Sequence, residues 1–242
     1  MIKFEHTKVF NFEGAVRGMR NPLNSWDKSD STICPGRDFD DCKATVNKCP
    51  RGEDPVFRED VFCIGKSDLD LMRRLIKSGS DHRKFMRQIL VSVDITAPLY
   101  WWKEFDTYKV GTVSNSCSTM HKIHAKKFTI DDFSHEHLTQ NAKDFLLEII
   151  DVLNDARSVY INFDEYVKIG TLDKAITSKK DIWWQMIQLL PSSYNQKRTI
   201  TLNYETLYNI YGSRKDHKLD EWRVGFIKWI ESLPYAEEVI TT

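Results

Sequence analysis

A short polar segment in the middle of the chain, residues 112–118, brings together side chains that could hold a phosphate group. It contains four hydroxyl groups, an amide and a thiol within seven residues and directly follows an aromatic stretch. Such hydroxyl groups, together with backbone N–H groups, can bind phosphate oxygens. The composition predicts a loop over residues 111–120. The alternatives to a phosphate-binding role are that this segment is an ordinary connecting loop or supplies the N-cap of the next helix.

A second polar set, Asn203, Asn209 and Arg214, lies near the C-terminal end in and around the helix predicted over residues 204–211. At about 100° of rotation per residue, the two asparagines lie roughly 120° apart around the helix axis, and Asn209 and Arg214 roughly 140° apart. Amides supply both donors and acceptors, and the arginine supplies a fixed cationic fork. These residues can therefore line the edge of a wide binding groove.

Four of the five cysteines cluster in an irregular stretch at about residues 31–63, namely Cys34, Cys42, Cys49 and Cys63. They are separated by 7, 6 and 13 residues, so the closely spaced pair that structural zinc sites favour is absent. We expect buried thiols here, with a zinc site as the alternative.

Two histidine pairs, His121 with His124 and His135 with His137, have no obvious third ligand. Because a third ligand is missing, we expect these histidines to be exposed or to cap helices rather than to bind a metal, and we predict no metal site. The usual phosphate-loop, dinucleotide, serine-hydrolase and zinc-protease motifs do not occur in the sequence.

The overall composition limits the classes of function. The 242 residues include 35 basic and 35 acidic side chains, so general electrostatic binding of nucleic acids is not expected. No apolar run approaches the roughly 18 residues of a membrane span. The opening residues lack a signal-peptide pattern, and the odd cysteine count is typical of a reducing compartment, which together predict a cytoplasmic protein.

The functional residues must be positioned by a mixed α/β scaffold. Residues 89–95 alternate β-branched and polar side chains, as in a strand with one buried face. Strand character is also predicted for residues 8–12, and Ser67 with Asp68 is predicted to cap a helix that ends near Gly79. Further helices are predicted after Pro98 and over residues 136–154, 180–190, 204–211 and 219–232. The tryptophan pairs Trp101-Trp102 and Trp183-Trp184 are expected mainly in the core, with an interface or cofactor wall as the alternative.

Four blocks of the sequence resemble the flavin-dependent thymidylate synthases, in that family's order. The first is Ala15-Val16-Arg17-x-x-Arg20, similar to A-V-R-x-x-R. The second runs from Leu75-Ile76-Lys77-x-Gly79 through a His, a Phe and a strand to Ala97-Pro98. The third is Leu190-Pro191, twelve residues ahead of Asn203. The fourth is Asn203-x-x-x-Leu207-x-Asn209-x-x-x-x-Arg214, similar to N-A-R-S-L-x-N-x-x-x-x-R.

The resemblance implies roles for individual residues. It implies that Asn203 and Asn209 contact FAD and that Arg214 binds the nucleotide and acts in catalysis. The family signature R-H-R-x-x-S-x-N-E-x-S-x-R-Y falls on residues 107–120, where its Arg and His residues have no counterparts and Lys109 keeps a positive charge. Lys109 is accordingly expected in catalysis and, with Tyr108, in cofactor binding. The remaining expected substrate contacts are Glu104, Thr112, Ser114, Asn115 and Ser118.

The resemblance also implies a fold and a reaction. The expected fold is α/β (α+β), with a mixed sheet flanked by long helices, in one domain over residues 1–242 with the Cys-rich insertion. The expected reaction converts dUMP, or a related pyrimidine nucleotide, to dTMP with FAD, methylenetetrahydrofolate and NADPH. A homotetramer is expected because the family's sites form between subunits. Because the signature is altered, the alternative is a non-catalytic protein of the same fold that binds flavin, nucleotide or a protein partner.

Overall fold

The computed structural model describes residues 2–34 and 61–242 and has the mixed α/β character predicted from the sequence. The strands are β1 (Lys3–Phe10), β2 (Thr32–Cys34), β3 (Val61–Cys63), β4 (Leu90–Pro98), β5 (Thr112–Ser116) and β6 (Asn195–Asn203). The helices are α1 (Phe12–Arg20), α2 (Lys66–Lys77), α3 (Leu99–Phe105), α4 (Thr119–Lys122), α5 (Gln140–Ile161), α6 (Phe163–Ile169), α7 (Lys179–Leu189), α8 (Tyr204–Arg214), α9 (Ile227–Glu231) and α10 (Ala236–Val239). One sheet has the strand order β1-β4-β6-β5, and β2 pairs with β3 in a second sheet.

The chain divides into two compact units. The first comprises Met1–Lys3, Ile95–Thr107 and Asn115–Thr199. The second comprises Phe4–Asp94, Tyr108–Ser114 and Ile200–Thr242. A single domain over residues 1–242 stays a prediction.

The first unit contains a core built on the packing of α5 against α7. Thr139 caps α5 by accepting a hydrogen bond from the N–H of Ala142, so the helix begins later than the predicted residue 136 and continues beyond 154. The apolar side chains of Leu138 and Phe145 stay outside this core, because Leu138 precedes the helix and Phe145 is exposed. The buried side chains of this core are Ile123, Phe128, Phe133, Leu146, Ile150, Leu153 and Met186.

The two tryptophan pairs have different environments within the first unit. Trp101 and Trp102 are fully buried, with ring centroids 4.8 Å apart. The indole N–H of Trp102 donates to the carbonyl of Gln196 at 2.9 Å. Trp184, by contrast, is 43% exposed. The core interpretation is therefore confirmed for the first pair, whereas Trp184 lies largely at the surface.

In the second unit, β1 ends earlier than the sequence predicts. The predicted strand over residues 8–12 instead comprises the end of β1 and the start of α1. Asn11 takes a left-handed conformation, with φ of 69°, and separates the two elements. Asparagine tolerates this conformation better than most residues, which explains why the chain turns there.

Helix α2, also in the second unit, is capped from a distant segment. The predicted cap at Ser67 and Asp68 is wrong, because Gly65 holds the N-cap position. The carboxylate of Asp30 accepts hydrogen bonds from the N–H groups of Ser67, at 2.8 Å, and of Asp68, at 3.1 Å. A Cβ on Gly65 would lie 2.3 Å from the Asp30 carboxylate, so this approach requires glycine.

The polar segment predicted as a loop over residues 111–120 contains strand β5 and the start of α4. The loop prediction is therefore wrong for residues 112–116. In the strand order given above, β5 lies at the edge of its sheet, where polar and exposed side chains are common. Ser118 is the N-cap of α4, and its hydroxyl accepts a hydrogen bond from the N–H of His121 at 3.0 Å.

The Cys-rich stretch begins and ends in paired strands. Cys34 in β2 lies opposite Val61 in β3, and Thr32 lies opposite Cys63. The side chain of Cys63 is buried, as expected for a core thiol. The predictions for Cys42 and Cys49 fall outside the described residues.

Candidate functional site

The three residues that the sequence singles out lie at or on helix α8, where Asn203 is the N-cap and Asn209 and Arg214 belong to the helix. Asn203 ends β6, and its side-chain oxygen accepts a hydrogen bond from the N–H of Thr206 at 2.9 Å. The Thr206 hydroxyl lies 3.1 Å from the carbonyl of Val110 and can donate to it. A Cβ on the adjacent Gly111, whose φ is +71°, would lie 2.5 Å from the Asn203 amide nitrogen. Asn203 is therefore a structural link between α8 and the segment at residues 108–114.

At the other end of α8, Arg214 lies between two aromatic side chains. Its Nε donates a hydrogen bond to the phenol oxygen of Tyr108 at 2.8 Å. The guanidinium carbon lies 5.0 Å from the ring centroid of Trp222 and 5.6 Å from that of Tyr108, which are cation–π distances. The structure thus brings together Tyr108 and Arg214, two of the predicted site residues.

Trp222 belongs to an uncommon backbone element. The predicted helix over residues 219–232 consists of a π-helical segment, Glu221–Phe226, followed by α9. Such segments are rare in proteins and are frequently found at functional sites. Trp222 is fully buried, so the ring that the Arg214 guanidinium contacts is held in place by close packing.

Asn209 lies on an exposed part of α8 beside a cluster of charged groups that the sequence did not single out. Arg83, in the short 3-10 helix Arg83–Gln88, donates from Nη2 to the side-chain oxygen of Asn209 at 3.4 Å. Its Nε donates to Glu205 at 3.3 Å, and its guanidinium lies 4.6 Å from the ring centroid of Tyr208. Arg87 also binds the Glu205 carboxylate through Nε and Nη2. Two guanidinium groups therefore converge on one carboxylate next to Asn209.

These contacts control the ionisation of Glu205. Partial burial pushes the pKa of its carboxyl upward, but hydrogen bonds and charge from Arg87 and Arg83 outweigh that effect and lower the pKa below its ordinary value. The hydrogen bond with Glu205 in turn raises the pKa of Arg87. Glu205 is therefore a carboxylate at neutral pH.

The remaining predicted site residues are distributed over both units. Lys109 is exposed in the second unit, as is Ser114. Thr112 is partly buried, and within the described part of the chain its hydroxyl oxygen is buried without a hydrogen-bond partner. Glu104, Asn115 and Ser118 belong to the first unit, where Glu104 is partly exposed on α3 and the other two are exposed. Their proposed ligand contacts stay predictions.

Sequence reasoning missed Arg83, Arg87, Glu205, Tyr208 and Trp222. A weak signal existed in the spacing, because Arg83 and Arg87 are four residues apart, as are Glu205 and Asn209. Only the fold brings these two pairs together, since they are separated by more than a hundred residues of chain.

Residues 2–34 and 61–242 contain neither a cluster of metal ligands nor a helix suited to span a membrane. No group of three or more His, Cys, Asp or Glu side chains in this part could hold a metal ion. Across the same residues, none of the helices has the length and apolar character needed to span a membrane.

Comparison with solved structures identifies the fold. The chain is similar to the flavin-dependent thymidylate synthase ThyX of Helicobacter pylori in complex with FAD and dUMP, with a TM-score of 0.59 and 13% identity over 99% of this chain and 97% of that one. A second structure of thymidylate synthase X from Helicobacter pylori, also with FAD and dUMP, gives a TM-score of 0.56 and 13% identity over 99% and 96% of the two chains. No protein-family model and no curated protein matches the sequence. The chain thus has the fold of the flavin-dependent thymidylate synthases.

Proposed function

We propose that the protein is a flavin-dependent enzyme that reductively methylates dUMP, or a related pyrimidine nucleotide, to the dTMP-type product. The observation that carries this proposal is the fold, which matches over 99% of the chain two structures that hold FAD and dUMP. The sequence resemblance in the last block agrees with it, because Asn203, Asn209 and Arg214 all lie at or on α8.

The residues present fit a phosphate-bearing flavin. The exposed amide of Asn209 lies beside the guanidinium of Arg83, so a ligand can meet donors, acceptors and positive charge together. The buried Thr112 hydroxyl has no hydrogen-bond partner among the described residues, which leaves it a group for a ligand to bind. We assign FAD binding to Asn203, Asn209, Tyr108 and Lys109. Bound FAD would supply the hydride chemistry of the reaction.

Arg214 and Lys109 are the proposed catalytic residues. Tyr108 and Trp222 fix the plane of the Arg214 guanidinium, and a fixed planar fork suits bidentate pairing with phosphate. Lys109 would add a positive charge that stabilises negative charge developing on the pyrimidine. We assign substrate contacts to Arg214 and also to Glu104, Thr112, Ser114, Asn115 and Ser118.

The proposal extends to the co-substrates and the assembly. Methylenetetrahydrofolate would supply the carbon and NADPH the reducing equivalents, in a cytoplasmic homotetramer. Light scattering after size-exclusion chromatography tests the assembly, because a stable monomer would contradict it.

Flavin retention is the first test. The visible absorbance spectrum of the purified protein is recorded before and after addition of FAD and desalting. Stoichiometric flavin after desalting supports the cofactor assignment. If the protein retains no flavin and its spectrum does not shift when FAD is titrated, the proposal of a flavin-dependent enzyme is wrong.

Nucleotide binding is tested separately by titrating dUMP calorimetrically into Arg214→Ala and the wild type. Loss of a charged hydrogen-bonding partner should weaken dUMP binding by about 2 kcal/mol or more, roughly 30-fold in Kd. Tyr108→Phe, which removes the hydrogen bond to Nε, should weaken it by about fivefold. Arg73→Ala, at an exposed position of α2, is the matched control. Equal dUMP affinity in Arg214→Ala and the wild type would contradict the role of Arg214.

A non-catalytic protein of this fold is the second candidate. It is favoured by the segment at residues 107–120, which retains Lys109 as its one cationic side chain and has no counterpart of the signature arginines. Formation of dTMP from dUMP in the presence of FAD, methylenetetrahydrofolate and NADPH separates the two candidates. Flavin and dUMP binding without turnover would favour the second.

A further inference from the structure

The Glu205 carboxylate lies where an anionic ligand group would be expected, between two guanidinium groups. Its Oε1 accepts hydrogen bonds from Nε of Arg83 at 3.3 Å and from Nη2 of Arg87 at 3.2 Å. Its Oε2 accepts from Nε of Arg87. The Glu205 side chain is only 12% exposed, whereas Arg87 is 49% exposed and faces solvent on its outer side.

The charge at position 205 is the reverse of that in the block this segment resembles. The pattern N-A-R-S-L has arginine at its third position, and this chain has glutamate there. Arg83 and Arg87 supply positive charge from a different element, the 3-10 helix Arg83–Gln88. The positive charge beside Asn209 therefore comes from this 3-10 helix, whereas α8 carries a carboxylate at position 205.

We propose that Arg83 and Arg87 form a phosphate-binding pair that Glu205 occupies in place of a ligand, so that Glu205 sets the affinity of the pair for phosphate groups. The natural ligand, a flavin phosphate or a nucleotide phosphate, rests on the proposed function, but binding of phosphate itself does not. Glu205 is an affinity-determining residue in this scheme, because any phosphate group must displace its carboxylate from the two guanidinium groups.

The geometry explains how a phosphate could replace the carboxylate. Guanidinium groups bind carboxylate and phosphate oxygens through the same parallel N–H donors. Arg83 is held against the ring of Tyr208, so its donors keep their direction when Glu205 is displaced. Arg87 is half exposed and can turn toward an incoming ligand. Because Arg83 also contacts Asn209, the bound phosphate would lie next to a predicted flavin-binding residue.

Glu205→Gln is the direct test, with inorganic phosphate as the probe at low ionic strength. Glutamine keeps the size of the side chain and removes its charge, so phosphate should bind about tenfold or more tightly than in the wild type. The gain should fall as salt is added, because screening weakens interactions between exposed charges. Adding Arg87→Gln to the variant should abolish the gain.

Asp70→Asn is the matched control, since it removes a carboxylate paired with Arg73 at an exposed position of α2. Its phosphate affinity should equal that of the wild type. An equal gain in the control, or no gain in a folded Glu205→Gln protein, would overturn the proposal. Should Glu205→Gln fail to fold, Glu205→Ala removes the same carboxylate, and no gain in phosphate affinity in that protein would refute the proposal.

Paired titrations then distinguish the source of the phosphate. If Glu205→Gln binds FAD more tightly than the wild type does but binds riboflavin equally, the pair is assigned to a flavin phosphate. If it binds dUMP more tightly but deoxyuridine equally, the pair is assigned to the nucleotide phosphate. Absence of flavin binding in every variant would remove the proposed function, whereas the inorganic phosphate result would still decide the role of Glu205.

Discussion

Replacement of Asp68 by asparagine should strongly destabilise the protein, because Asp68 balances a buried arginine. Asp68 is fully buried and Arg20 is 3% exposed. The Nε of Arg20 donates to the Asp68 carboxylate at 2.5 Å. The same carboxylate accepts hydrogen bonds from the hydroxyls of Ser29, at 2.7 Å, and Ser31, at 2.6 Å. Asparagine preserves the shape of the side chain but leaves the guanidinium charge uncompensated.

The magnitude follows from the burial of both partners. Removing one partner of a buried ion pair costs about 3–5 kcal/mol in the free energy of unfolding. For a chain of this length, each kcal/mol lowers Tm by about 2–4 °C, so Asp68→Asn should lower Tm by about 6 to 20 °C. The double variant Arg20→Met with Asp68→Leu should recover much of the loss, since replacing a buried pair by apolar side chains is often neutral.

The assay is urea and thermal denaturation at pH 7, followed by circular dichroism. Asp70→Asn on the same helix is the control, because its ion pair with Arg73 is exposed and should contribute less than about 1 kcal/mol. A change of under about 1 kcal/mol for Asp68→Asn, in a protein with wild-type secondary structure, would refute the view that Arg20 depends on this carboxylate.

The pH dependence gives an independent check on the same residue. Burial pushes the pKa of Asp68 upward, but hydrogen bonds from Ser29, Ser31 and Arg20 outweigh it and lower the pKa below its ordinary value. A carboxyl with a lowered pKa contributes stability that is fully present above its unfolded pKa of about 3.9 and is lost as the pH falls through the folded value. The free energy of unfolding should therefore fall less on acidification in Asp68→Asn than in the wild type.

Five further substitutions test the core packing of the tryptophans and the cap of α8, all measured as midpoints of thermal and urea denaturation. Trp102→Ala should cost about 3–5 kcal/mol, because it empties a fully buried site, whereas Trp184→Ala, at a position that is 43% exposed, should cost clearly less. Gly111→Ala should cost about 1–3 kcal/mol, since φ is +71° and the new Cβ would press on Asn203. Asn203→Ala should lose the cap and cost about 0.5–2 kcal/mol, while Asn203→Asp should retain it. Equal midpoints for the members of either matched pair would contradict these assignments.

Local patterns predicted much of the scaffold. The alternation around Val91 and Val93 gave β4, because a strand's buried face repeats every second residue. The helix predicted over residues 180–190 corresponds to α7. It could be predicted because its signals are local: its apolar residues recur at helical spacing, and Pro191 follows its end. Strand β5 was missed because an edge strand can be polar on its exposed side, so its composition resembles that of a loop.

The candidate site was predictable only in part, because its contacts join distant segments. The resemblance drew attention to Asn209 and Arg214, but the neighbours of Arg214 come from residues 108 and 222. Asp68 carried a cap-like signal, and its actual partner, Arg20, lies 48 positions earlier in the chain. Charge pairing at such separation leaves no periodic trace in the sequence.

The pairing of β2 with β3 has a topological consequence for the chain between them. Because Cys34 lies opposite Val61, the two positions that flank residues 35–60 are held next to each other by strand pairing. The ends of the intervening stretch are thus held together whatever its length, and each doubling of that length adds only about 0.6 kcal/mol of closure entropy. A change in the number of residues between the two strands therefore adds little closure entropy to the cost of pairing β2 with β3.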